Sequence, residues 1–257
     1  KGGSWGYVTI VITEAERNTE RWQEVFNKMR RLKLIPIVRL ATKVEKGIWE
    51  KPREVEITEW VEFLNSLNWV TRNRYIVLFN EPNHAKEWGG EVKPDEYTKI
   101  ARIYRDKLKA ASEDFFILPA GLDAAAPDSI ATMEISNFLT QMYKTDKEIF
   151  TLIDGWNSHS YPNPAFSGSV KDSGKGTIRS YLWEVSFIEK YGLSSNTPIF
   201  ITETGWVNIE SGIDLVASNW QKAFEEVWVE NRIVAITPFV LTYTDTPFAL
   251  FSWKNPI

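Results

Sequence analysis

Seven apolar runs rich in Val, Ile and Phe recur along the chain: YVTIVIT (7–13), LIPIVRLA (34–41), YIVLFNEP (75–82), FFILPAGLD (115–123), LIDGWNSHSY (152–161), PIFITETGW (198–206) and IVAITPFVLTY (233–243). Near-continuous apolar character of this kind marks strands buried on both faces. Between them the period changes to that of helices. Trp22, Val25, Phe26 and Met29 follow a capping Asn18, and Ile57, Trp60, Val61 and Leu64 repeat the spacing. Tyr97, Ile100, Ala101 and Tyr104 follow Pro94, where a first-turn proline is tolerated. Ile178, Tyr181, Leu182 and Val185 mark a further helix that stops at Gly192; Val216, Ala217, Trp220, Phe224, Val227 and Trp228 mark another. Alternating buried strands and amphipathic helices predict parallel βα units, either a (β/α)8 barrel or a doubly wound sheet. No linker or low-complexity stretch divides residues 1–257, so one domain is expected.

In either architecture ligands gather where the strands end, at their carboxyl termini. The third run ends in Asn80-Glu81-Pro82-Asn83, the fifth in His159-Ser160-Tyr161-Pro162 and the sixth in Thr202-Glu203-Thr204-Gly205-Trp206. Two carboxylates at strand ends are what glycoside hydrolysis needs. One protonates the leaving oxygen while the other attacks the anomeric carbon or activates water, and their separation decides between retention and inversion. Taken singly, Glu81 could be a surface carboxylate beside a turn proline and Glu203 a salt-bridge partner; as a pair they favour catalysis.

Asn-Glu-Pro at one strand end, His-x-Tyr at the second strand end after it and Glu-Thr-Gly-Trp at the third resemble the clan A glycoside hydrolases, retaining β-glycosidases built on (β/α)8 TIM barrels. The resemblance implies that Glu81 is the acid/base at the end of strand 4 and Glu203 the nucleophile at the end of strand 7. It also implies that Asn80 meets the sugar 2-hydroxyl and that Tyr161 holds the nucleophile, with His159 beside them. Only two candidate strands precede Glu81 instead of three, so the barrel is expected to lack its first strand within these residues, that strand lying upstream, outside the described residues, or being replaced by another segment.

For the remaining candidates, site roles compete with ordinary structural ones. Arg39 is a charge inside an apolar strand and needs a carboxylate partner, for which Glu203 is a candidate. His84 belongs to the loop after the acid/base, where substrate contact and loop packing are equally open. Trp88 and Trp206 follow the two glutamate motifs and suit the apolar faces of sugars, whereas Trp22, Trp60, Trp220 and Trp228 fall at helical spacing and belong to the core. Tyr243 stands near the exit of the last strand, and the stretch 166–180 reads as a mobile loop over the cleft.

Composition narrows the picture further. With 43% hydrophobic and 25% charged residues, the 257-residue chain can build one large core or two small ones. A net charge of -4 with no basic stripe argues against a nucleic-acid partner, and no apolar run approaches a membrane span. There are no cysteines and two histidines, so thiolate chemistry is excluded, no metal site is expected and no cofactor is required. The compartment stays open, with the extracellular space or cell envelope favoured, and a monomer is expected. The predicted activity is retaining cleavage of β-linked oligo- or polysaccharides; the alternative is a catalytically silent carbohydrate-binding module on the same barrel.

Overall fold

The computed structural model describes residues 4–208 and 213–254. In chain order the elements are β1 (Gly6–Thr13), α1 (Thr19–Arg31), β2 (Leu34–Ala41), a hairpin of β3 (Val44–Glu45) and β4 (Ile48–Trp49), α2 (Ile57–Ser66), β5 (Arg74–Leu78), α3 (Pro94–Ala111), β6 (Phe115–Pro119), α4 (Ile135–Thr145), β7 (Trp156–His159), α5 (Ser180–Glu189), β8 (Ile199–Glu203), α6 (Ile213–Lys222) and β9 (Ile233–Ile236). All seven expected strands form. Most end before their apolar runs do, because the polar residues at each exit leave the ladder. Helix α4 was not anticipated from sequence. It buries Ile135, Phe138, Leu139 and Met142, and the Glu134 side chain caps it by accepting from Ser136 N and Asn137 N. In α1 the Asn18 carboxamide accepts from Arg21 N at 2.8 Å, while Trp22, Phe26 and Met29 form the buried face.

The long strands make two parallel sheets, in the orders β1-β2-β5-β6 and β7-β8-β9. A backbone bridge between Asp123 and His159 connects β7 to the exit of β6. At the opposite margin Thr9 Oγ1 and Thr237 Oγ1 are 2.7 Å apart. Thr237 already donates to Thr202 O at 2.8 Å, so Thr9 supplies the proton that links β1 to the β9 side. Among the described residues no eighth parallel strand joins these seven, and no helix is long and apolar enough to cross a membrane.

Strand alternation sorts the side chains into two cores. Ile35 and Ile37 of β2, Tyr75 and Val77 of β5, Leu118 of β6, Phe200 of β8 and Ala235 of β9 form an inner cluster drawn from both sheets. The Tyr75 and Phe200 rings lie 5.4 Å apart and those of Phe116 and Phe200 5.6 Å, so the sheets curve around a shared interior. Residues of opposite parity, such as Val38, Leu40 and Ile76, pack outward in the larger cluster with Trp22, Phe26, Trp60 and Tyr104 of the helices. Each large side chain buried in this way contributes about 1.5–3 kcal/mol.

Candidate active site

Alternation places Arg39 two residues beyond Ile37 on the same inward face, at the carboxyl end of β2. On β5 the alternation is broken. After Tyr75 and Val77, Phe79 would also point inward, but its φ of +74° turns its ring outward against Trp88 and Tyr104. A left-handed aromatic residue costs on the order of 1–3 kcal/mol. The turn brings Asn80 to the inner side, where its Oδ1 accepts from Arg39 Nη1. Glu81 follows with φ +29°, and its N–H donates to Gly121 O at 3.1 Å. Position 121 must be glycine because a Cβ there would overlap the His159 ring.

The second sheet supplies the rest. Its register shifts between Ser158 and His159, so His159 faces Glu203 rather than Thr202. Such an irregularity re-aims a side chain beside a site. His159 Nδ1 is 2.8 Å from Glu81 Oε1 and 3.9 Å from Glu203 Oε2. Glu203 Oε1 accepts from Arg39 Nη1, and Tyr161 Oη donates to Glu203 Oε2 at 3.2 Å. One oxygen of Glu81, one of Glu203 and a His159 nitrogen all lie within 4.8 Å of one another.

Burial alone would raise the Glu203 pKa. The positive charges of His159 and Arg39, with hydrogen bonds from Tyr161 and Arg39, outweigh it and hold the carboxyl below its ordinary value. Burial would lower that of His159, but the negative charges of Glu203 and Glu81 win and raise it. Tyr161 is held well above the usual phenol range by burial and by the same two carboxylates, so it stays a hydrogen-bond donor. Among the described residues Glu81, His159 and Glu203 form the cluster with donor atoms close enough for a metal ion. The Arg39 guanidinium already occupies one side of Glu203, so a cation there would face a fixed positive charge.

Other expectations meet a different outcome. Trp88 is not a subsite wall: it is 1% exposed, its ring packed against Phe79 and Tyr97. Trp206, 3% exposed, donates its indole N–H to Gly168 O at 2.8 Å and stands edge-on to Trp220, at the back of a cavity of about 400 Å³ that Phe239 and Trp253 also line. Tyr243 is 42% exposed with its ring against Phe248, and neither carboxylate takes a hydrogen bond from it among the described residues. Aromatics beyond β9 that approach the site are Phe251 and Phe239, 6.0 and 6.5 Å from the Tyr161 ring. His84 lies near Glu81 but pairs with Asp123, Nε2 to Oδ2 at 2.9 Å. The 166–180 stretch is pinned by Trp206 and by Arg179, which donates to Val170 O and Asp172 O, while Phe166 packs on Tyr161.

Three residues near the site escaped sequence reasoning. Asp123 ends the FFILPAGLD run, and the strand-exit rule could have found it. Phe239 sits inside a run assigned wholly to strand, and Glu87, whose Oε2 accepts from Asn80 Nδ2 at 3.1 Å, carries no local signal.

The sequence matches no protein-family model and no curated protein. Solved structures do match. A monomeric β-xylosidase from Caulobacter crescentus CB15 aligns with a TM-score of 0.62 at 13% identity, over 93% of this chain and 53% of that one. The likeness is one of fold. An endo-β-1,3-glucanase of family GH128 from Sorangium cellulosum aligns at 0.57 and 14% identity, over 96% and 82%. The Thermomonospora fusca β-mannanase in complex with mannohexaose aligns at 0.56 and 12%, over 96% and 73%. The chain spans about half the length of the xylosidase and of a family 39 enzyme from Bacteroides cellulosilyticus WH2.

Proposed function

We propose that the protein is a retaining glycoside hydrolase acting on β-linked oligo- or polysaccharides, its single barrel domain using β1 as the second strand and β9 as the eighth. The observation that carries this reading is the approach of the Glu81 and Glu203 carboxylates, within 4.8 Å at their nearest ligand oxygens, at the exits of β5 and β8. Retaining enzymes hold the pair about 5–5.5 Å apart, whereas inversion needs roughly 6.5–9.5 Å to admit a water.

In the first step Glu203 attacks the anomeric carbon, the bond to the leaving oxygen breaks and Glu81 protonates that oxygen. A covalent glycosyl-enzyme remains. In the second step Glu81 takes a proton from water, whose oxygen attacks the same carbon and releases Glu203 as a carboxylate. Arg39 and Tyr161 keep Glu203 ionised and aimed, and His159 orients Glu81. The structural neighbours, a β-xylosidase, an endo-β-1,3-glucanase and a β-mannanase, motivate the substrate class.

The test is to screen β-linked polysaccharides and aryl β-glycosides, and to read the anomer of the first product by NMR. Retained β-anomer is expected, and Glu203→Ala should lose at least about 10⁴-fold in kcat while azide restores turnover as the glycosyl azide of inverted configuration. Activity undiminished in that variant sinks the assignment.

A further inference from the structure

The Asn80 carboxamide lies between groups of opposite charge. Its Oδ1 accepts from Arg39 Nη1, and its Nδ2 donates to Glu87 Oε2 at 3.1 Å. The flipped amide would set N–H₂ against the guanidinium and oxygen against the carboxylate, so the two partners together permit one orientation. Glu87 is built for this place. Its side chain is 9% exposed, it closes the turn Ala85–Glu87 with its own N–H on His84 O, and the next residue is the buried Trp88.

One Nδ2 hydrogen is spent on Glu87, and the other has no partner among the described residues. A water-sized space adjoins the amide. Arg39, Asn80, Glu87, Trp49 and Trp88 line a cavity of about 20 Å³, space for one water-sized group. Two buried N–H groups of that lining, Arg39 Nε and Trp88 Nε1, lack a partner.

We propose that Glu87 is a positioning residue for the reaction above, on which this inference rests: it locks the Asn80 carboxamide so that its remaining N–H reads one hydroxyl of the reacting sugar. An uncharged residue without an acceptor frees the amide to flip and blunts that reading.

The experiment compares kcat/KM on the aryl β-glycoside that the wild type hydrolyses best with that on each of its monodeoxy analogues. Three variants are used, each checked by thermal unfolding: Glu87→Met, Glu87→Asp, which withdraws the carboxylate by one methylene, and Glu87→Gln, which keeps an acceptor within reach. E87M and E87D, or whichever of them folds, should lose roughly tenfold or more on the parent glycoside and little on the analogue lacking the hydroxyl that Asn80 reads. E87Q should keep the wild-type preference. Equal losses on the parent and every analogue, or no loss at all, overturn the proposal while leaving the enzyme a glycosidase. A wild type that cleaves no β-glycoside, or one indifferent to Glu203→Ala, overturns the functional reading itself.

Discussion

Glu81 leaves β5 on a backbone turned to positive φ at Phe79 and again at Glu81 itself, and among the described residues its carboxylate meets one side-chain hydrogen-bond partner, His159. Glu203 closes β8 as the last residue of its strand and accepts from both Arg39 and Tyr161, with His159 3.9 Å away. The first corner is aimed by backbone strain and the second by side-chain charge. A carboxylate crowded by donors is held ionised, as the nucleophile of the proposed reaction must be.

The sharpest way to break this contrast is the leaving group. With an activated dinitrophenyl glycoside, Glu81→Ala should still form the glycosyl-enzyme, seen as a burst followed by slow turnover that azide accelerates. Glu203→Ala should show no burst, a difference of about 10⁴-fold in the first step. A burst in the Glu203 variant and none in the Glu81 variant would exchange the roles.

Removing Arg39 tests the charge that sets the second corner. Arg39→Met should cost about 100-fold in kcat/KM at mildly acidic pH. Because Arg39 helps hold the Glu203 pKa down, its loss should also move the acid limb of the profile to higher pH. An acid limb that stays put would mean that Arg39 serves packing alone. The sign for stability is the same: a depressed carboxylate stabilises the fold above its unfolded pKa, and that contribution disappears as pH falls through the folded one.

Behind the second corner lies a carboxyl of opposite character. Glu184 on α5 accepts from Trp156 Nε1 at 2.8 Å and from Ser158 Oγ at 2.9 Å, beneath the strand that carries His159. Burial pushes its pKa up to about 7, against the pull of those two bonds and of the His159 charge. A raised carboxyl pKa favours the fold fully below the unfolded value and loses that advantage as pH climbs towards 7, a cost of about 3 kcal/mol at most. Glu184→Gln mimics the protonated acid, so its Tm should match the wild type near pH 4 and exceed it by several degrees at pH 8. An equal Tm difference at both values would refute the buried-acid account. The smallest effect is expected at Tyr243, exposed and, among the described residues, hydrogen-bonded to neither carboxylate: Tyr243→Ala should leave kcat/KM within about twofold.

The strand exits were legible because a near-continuous apolar run is a local property, and Asn80, Glu81, His159, Tyr161 and Glu203 all stand where such a run turns polar. Trp88 was not. Adjacency to Glu81 says nothing about which way a ring points, and the positive φ at Phe79 opened an outward pocket in which Phe79 and Tyr97 hold it. Tyr243 was misplaced for a related reason: β9 stops at Ile236, earlier than its apolar run suggested, and Phe239 and Phe251 stand beside Tyr161 instead.

By itself the sequence determined the alternation of strands and helices and the kinds of side chain delivered to each exit, since periods of 2 and 3.6 and turn chemistry act over a few residues. Tertiary structure alone decided the spacing between Glu81 and Glu203, the pairing of Arg39 with Glu203, the register shift that turns His159 to its partner and the closure of Glu87 on Asn80. Those depend on how two sheets curve around one inner core. Side chains more than a hundred residues apart meet there, and no local pattern encodes their distance.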